Sequence, residues 1–163
     1  MKTQFLIILF LITGEMSFAQ KGGQSIDQVF ELLRAQQNIS YFEVTGEMFK
    51  MLSETKEAPV EFKEYVSKLS GMEMVRTSNS RDKTKVDIYK LFMSNANLKD
   101  FSRLMTSESP SQRITFFQKK SGKINEYLLV QSDAIIYITG TLDLKSISEF
   151  ERVMEIAGSA FEM

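Results

Sequence analysis

The chain has 163 residues, 20 Lys and Arg against 21 Asp and Glu, a formal net charge of -1, and no His, Cys or Trp. Those absences exclude Ser-His-Asp and Cys-His nucleophile pairs, His/Cys zinc centres, haem held by His, iron–sulfur clusters and disulfides. The balanced charge lacks the basic surplus that phosphate-backbone binding draws on, so no nucleic-acid partner is expected.

The N-terminus reads as an export signal over residues 1–19. Lys2 gives a short positive region, Phe5 to Ile12 are eight uninterrupted apolar residues, and Ser17-Phe18-Ala19 supplies small residues around a cleavage point. The run is too short for a spanning helix, which takes about 20 apolar residues, and Gly14-Glu15 interrupt it. Cleavage leaves Gln20 in front, where a lipobox would need Cys. The expected product is exported, periplasmic or extracellular, with neither lipid anchor nor transmembrane span. Residues 20–24 read as a flexible lead-in, and 25–160 as a single α+β domain.

Ser25 and Gln28 form a Ser-x-x-Gln capping box, followed by Ile26, Val29, Phe30 and Leu33 at helical spacing. Ile39 to Val44 is rich in β-branched and aromatic residues and reads as a strand. Thr45 suits the cap of a short helix carrying Met48, Met51 and Leu52. Pro59 suits the first turn of another, with Phe62, Tyr65, Val66 and Leu69 inward and Gly71 as its stop. Met72 to Thr77 reads as a second strand, Ser78 to Lys83 as a polar loop, and Val86 to Asn95 as a helix with Ile88, Leu91 and Phe92 inward.

Between Phe101 and Gly140, turn signals at Glu108 to Ser111, Lys120 to Gly122 and Ser132-Asp133 divide four strands. Asp143 suits the cap of a last helix with Ile147, Phe150, Val153, Met154 and Ala157 on one face. The fold class is therefore α+β: a mainly antiparallel sheet with a C-terminal four-stranded meander and helices packed on one face.

Side chains alternate faces along a strand, so parity assigns the two faces. A two-residue Ser121-Gly122 turn pairs Phe117 with Glu126, and a Ser132-Asp133 turn pairs Val130 with Ile135. One face then collects Ile114, Phe116, Tyr127, Leu129, Ile136 and Ile138 and is the core face. The other mixes Arg113, Thr115, Lys119, Glu126 and Thr139 with Phe117, Leu128, Val130, Ile135 and Tyr137. Those five apolar and aromatic residues are the candidate interaction patch, unless the chain's own N-terminal strand or a loop covers them.

The stretch Lys123-Ile124-Asn125-Glu126-Tyr127-Leu128-Leu129-Val130, then Ile135-Ile136-Tyr137-Ile138-Thr139-Gly140 and Leu142-Asp143-Leu144, resembles a family of small exported bacterial proteins. It is catalogued as domain of unknown function 4252. Leu69 to Val75 is similar to its second strand and Phe101 to Met105 to its third, and the likeness runs from about Val44 to Phe150. The resemblance implies a signal-bearing envelope protein of Gram-negative bacteria. Many such proteins are lipoproteins, and here the missing Cys departs from that pattern. The family brings no activity or catalytic residues to transfer.

The remaining chemistries find no constellation. Ser53/Lys56 and Ser80/Lys83 match Ser-x-x-Lys, and Lys120-Ser121-Gly122 resembles a Lys-Ser-Gly element, but their positions are helix ends, a loop and a hairpin turn. Glu126 is an acid beside an apolar face with no second acid to complete a hydrolytic pair. Met48/Met51 and Met72/Met74 could offer thioethers to Cu(I), but both spacings suit a core. No catalytic residue, metal or cofactor is expected. The reading is a non-enzymatic envelope binding protein with a protein partner or apolar ligand. The alternative is a carrier of a lipid or other apolar small molecule, and an enzyme without His or Cys stands behind both.

Overall fold

The computed structural model describes residues 23–78, 86–144 and 152. The segment read as an export leader, most of the polar loop and the helix expected after Asp143 lie outside the described residues. Arg152 alone of that last segment is described, helical and paired with Glu61 at 3.1 Å.

Among the described residues the order is α1 (Ile26–Arg34), β1 (Ile39–Thr45), α2 (Gly46–Glu54), α3 (Val60–Val66), β2 (Leu69–Thr77), α4 (Ile88–Asn95), β3 (Ser102–Glu108), β4 (Arg113–Ser121), β5 (Ile124–Gln131) and β6 (Ala134–Gly140). Side chains that satisfy otherwise unpaired amides start three of the helices. The Ser25 amide donates to Gln28 Oε1 at 3.0 Å, and the Gln28 amide to Ser25 Oγ at 3.3 Å. Thr45 Oγ1 accepts from the Met48 amide, and Asp87 Oδ1 from the Lys90 amide.

Three readings of the sequence are corrected locally. The helix after Pro59 ends at Val66, and Leu69 and Gly71 belong to β2. In α2 the buried residue is Phe49, with Leu52 packed against the core, while Met48 and Met51 are exposed. Gln24, read as lead-in, is held in place: its amide donates to the Asn95 carbonyl at 2.7 Å and its carbonyl accepts from the Asn97 amide at 2.8 Å.

The sheet has six strands in the order β1-β2-β6-β5-β4-β3, every neighbouring pair antiparallel. The four-stranded meander is the expected one, and β2 joins it by pairing with β6. The β4–β5 turn is Gly122-Lys123, because Ser121 lies opposite Ile124. Gly122 has φ 64°, which glycine adopts at no steric cost. Phe117 therefore faces Leu128, two residues from the expected Glu126. A slip of two preserves parity, so the faces stay as assigned. At the far end of the β2–β6 seam, a Cβ on Gly140 would sit 2.1 Å from the Lys68 carbonyl oxygen. That carbonyl accepts the Thr141 amide at 2.8 Å.

Each face carries its own core. On one, Phe116, Tyr127, Leu129, Ile136 and Ile138 pack with Val44, Met72, Phe49, Val66, Leu142 and Leu144. This is the face read as helix-covered, under α2 and α3. On the other, Val75, Phe117, Leu128, Val130 and Ile135 pack with Ile26, Val29, Phe30 and Leu33 of α1 and with Ile88 and Phe92 of α4. Helices thus lie against both faces, one layer more than the one-face arrangement read from the sequence. Phe30 is central to the second layer: its ring meets Phe92 edge-on at 6.4 Å and Tyr137 at 6.3 Å.

Tyr127 carries a buried polar network. Its hydroxyl donates to the Leu142 carbonyl at 3.1 Å and accepts the Leu144 amide at 2.7 Å and Gln118 Nε2 at 3.1 Å. One O–H and two lone pairs are thereby all used. The contact ties the chain beyond β6 to the middle of β5.

Candidate functional site

The expected interaction patch is corrected by burial. Phe117, Leu128, Val130 and Ile135 are 5 %, 0 %, 0 % and 0 % exposed, and Tyr137 is half-buried. The apolar stripes of α1 and α4 cover them, so they form interior packing. Only the Tyr137 ring reaches the boundary of the roofed region, and there the face changes character.

Beyond that boundary the second face is polar. Strand pairing sets Glu43 opposite Glu73, Glu73 opposite Tyr137, Glu126 opposite Thr139 and Lys119 opposite Glu126. Glu126 thus faces Thr139, as the sequence parity gave, and on its other side Lys119 replaces the expected Phe117. Tyr137 donates its hydroxyl to Glu126 Oε2 at 2.7 Å, and Lys119 Nζ lies 3.0 Å from Glu126 Oε1. Lys119 Nζ also sits 5.6 Å from the Phe101 ring centroid. Glu126 is thus held between an ion pair with Lys119 and the Tyr137 hydroxyl.

At the β1 edge the balance differs. The Tyr41 hydroxyl lies 3.0 Å from Glu43 Oε2 and 3.0 Å from Glu73 Oε2. A phenol has one proton, so it donates fully to only one carboxylate at a time. Arg34 of α1 stacks over the Tyr41 ring at 4.0 Å. Burial pushes the Tyr41 hydroxyl well above the ordinary tyrosine range, with the Glu73 and Glu43 hydrogen bonds adding to it. Burial likewise raises Tyr137, helped by its bond to Glu126. Both phenols are therefore donors at neutral pH. Glu43, Thr45, Gly71, Glu73 and Tyr137 line a cleft of about 200 Å³ here.

Glu73 is raised above the ordinary glutamate range, first by burial and then by the charges of Asp27 and Glu43, against the lowering effect of the Tyr41 hydrogen bond and Arg34. A folded-state pKa above the unfolded one favours the protonated form in the fold. Its contribution is therefore fully present below the unfolded pKa and is lost as pH rises through the folded value. Glu73→Gln keeps an acceptor for Tyr41 and removes one of two like charges set directly opposite. The variant is expected to be more stable than the parent at neutral pH, by on the order of 0.5 kcal/mol for a relieved cross-strand repulsion. That advantage should shrink on acidification through the carboxylate range. Denaturant unfolding of both proteins between acid and neutral pH checks it; a constant difference would contradict it.

This network was not legible beforehand, because it depends on β1 and β2 meeting in one register. The available signal was parity: Glu43 and Glu73 are carboxylates interrupting strands on the same-numbered face as Tyr41 and Val75. Chemically, the arrangement presents fixed donors and acceptors with an acidic surplus, and its one lysine is already engaged. Among the described residues no group of three His, Cys, Asp or Glu side chains could hold a metal ion, and no helix is long and apolar enough to cross a membrane.

No curated protein and no solved structure matches the chain. A family model described as Domain of unknown function (DUF4252) matches residues 30–150, from the middle of α1 to beyond β6, and the chain belongs to that family.

Proposed function

We propose that the protein is an exported, non-enzymatic interaction module of the bacterial cell envelope. A partner protein presenting basic side chains docks on the polar half of the second sheet face. The observation that carries this reading is the division of that face. One half is sealed by α1 and α4. The other half holds Glu43, Glu73 and Tyr137 around an open cleft, with Tyr41 and Tyr137 fixed by hydrogen bonds. Side chains already held in place lose little freedom on binding. The facing carboxyl groups of Glu43 and Glu73 form an acidic spot that favours a cationic complement, which guides docking and excludes acidic surfaces.

The leader composition supports export: Lys2, the apolar run from Phe5 and Ser17-Phe18-Ala19. Among the described residues the packed interior supports a contact surface over a carrier. A carrier needs an apolar chamber, and the layers under both sets of helices are occupied by large side chains such as Phe30, Phe49, Phe92, Phe116 and Tyr127.

Site-specific photocrosslinking tests the reading. A crosslinking residue at Glu47, exposed in the first turn of α2 next to the cleft-lining Thr45 and Gly46, is expressed in the native envelope. The expected result is a discrete adduct that disappears in a Glu43→Lys, Glu73→Lys double variant and persists in Lys56→Glu. No adduct, or one indifferent to the charge reversal, would overturn the docking site.

A further inference from the structure

At the opposite end of the sheet, the β3–β4 hairpin, the β5–β6 turn and the start of α4 surround a second cleft of about 520 Å³. This is within the range of roughly 300–1,000 Å³ that small-molecule sites occupy. Such sites are usually mainly apolar. Here Val86 and Pro110 are joined by a polar set that includes Asp87, Arg113, Ser132 and Asp133.

The guanidinium is the organised part of that wall. Arg113 Nη2 donates to Asp87 Oδ2 at 2.8 Å, and its Cζ lies 4.4 Å from the Tyr89 ring centroid. Both supports are themselves fixed. Asp87 Oδ1 accepts the Lys90 amide at 2.9 Å, and the Tyr89 hydroxyl meets Thr115 Oγ1 at 3.0 Å. The Arg113 amide donates to Ser132 Oγ at 2.8 Å, leaving the Ser132 proton to give elsewhere. The Thr77 amide donates to the Asp133 main-chain oxygen at 2.9 Å, which holds the β5–β6 turn against β2.

The charges decide the ligand class. Among the described lining residues Arg113 is answered by Asp87, and Asp133 adds one further carboxylate, so the cleft does not favour an anion. One carboxylate in excess, with a guanidinium beside it, makes no strong site for a cation either. What remains is a dense mixture of donors and acceptors: guanidinium N–H groups, a carboxylate and serine hydroxyls. This mixture complements a neutral molecule with adjacent hydroxyls, each of which both donates and accepts. A planar carboxylate and a planar guanidinium can each engage two neighbouring oxygens at once.

We propose that this cleft is a carbohydrate-binding site, taking a neutral sugar of one or two rings with Arg113 and Asp133 as its principal contacts. The site is separate from the acid–tyrosine surface, so either can fail without the other.

The test is a titration of the isotopically labelled full chain followed by amide chemical shifts. The probes are N-acetylglucosamine, N,N′-diacetylchitobiose and maltose. The expected result is saturable shifts over residues 109–113 and 132–133 with at least one of them. Asp133→Asn should weaken the response about tenfold, the loss of one charge-assisted hydrogen bond. Tighter binding of a disaccharide than of the monosaccharide points to the end of a glycan chain, and equal binding points to a free sugar; both support the site. No saturable shift with any of the three, shifts elsewhere on the protein, or an unchanged response in Asp133→Asn would overturn it. Asp133 is exposed in a turn, so that variant is expected to fold, and Ser111→Ala supplies a second, milder one.

Discussion

Phe30→Ala is expected to destabilise the protein by about 3–5 kcal/mol, the range for truncating a buried phenylalanine. The side chain is 1 % exposed and is the point at which α1, α4 and the sheet meet, through Phe92 and Tyr137. Two penalties combine. Transfer of the ring from water is lost, and the neighbouring rings cannot collapse into the space, because Phe92 is fixed in α4 and Tyr137 in β6 by its bond to Glu126. Loosening α1 also uncovers Phe117, Leu128, Val130 and Ile135. The denaturation midpoint should fall with little change in slope, and a dye that reports exposed apolar surface should bind the variant under native conditions. A loss under 1 kcal/mol with no dye binding would mean that α1 contributes little to covering this face.

Tyr127→Phe is expected to cost about 2 kcal/mol, although it removes a single oxygen. Leu144 is buried, and its amide donates to that oxygen at 2.7 Å. Without the hydroxyl, a buried N–H has no acceptor, and each such orphan costs roughly 1–3 kcal/mol. The Leu142 carbonyl is better protected, since it also accepts Asn125 Nδ2 at 2.9 Å. The loss should therefore centre on Leu144. Hydrogen exchange resolves this: the Leu144 amide should lose its protection well beyond the global change, while amides of β4 and β5 follow global stability. A variant as stable as the parent would show that another acceptor replaces the phenol oxygen.

The legible parts of the fold were those that depend on residues close in the chain. Ser25 and Gln28 announce a helix start because the box needs only a three-residue spacing. Gly122 and the Ser132-Asp133 pair announce hairpins for the same reason. Parity then placed Phe116 and Phe117 on opposite faces without any knowledge of the third dimension. What stayed hidden was the assignment of helices to faces. The stripe of Ile26, Val29, Phe30 and Leu33 shows that α1 has an apolar side, but nothing in it says which sheet face receives it. Met48 and Met51 failed differently: Phe49 and Leu52 offer the same helical spacing, and the sheet selected the larger, stiffer ring. Gly71 looked like a helix stop because glycine ends helices, yet it also serves in strands.

The candidate site was hidden for a related reason. Glu43 and Glu73 lie 30 positions apart, and only the β1–β2 register sets one against the other. Arg113, Asp87 and Asp133 likewise come from three separate connections. The sequence offers Arg113 as a strand residue, Asp133 as a turn residue and Asp87 inside the helix expected from Val86, with nothing to bring the three together.

The seam between β2 and β6 has a consequence for cooperativity. The N-terminal pair β1–β2 and the meander β3–β6 are each continuous in the chain, and a single ladder from Leu69 opposite Gly140 to Arg76 opposite Ala134 joins them. Opening that ladder would expose Met72 and Val75 on one side and Ile135 and Ile138 on the other, all buried in the two shared cores. Neither half retains a complete hydrophobic layer on its own. The two halves are therefore expected to melt together in one transition, and the close approach at Gly140 leaves no room for a side chain where they meet.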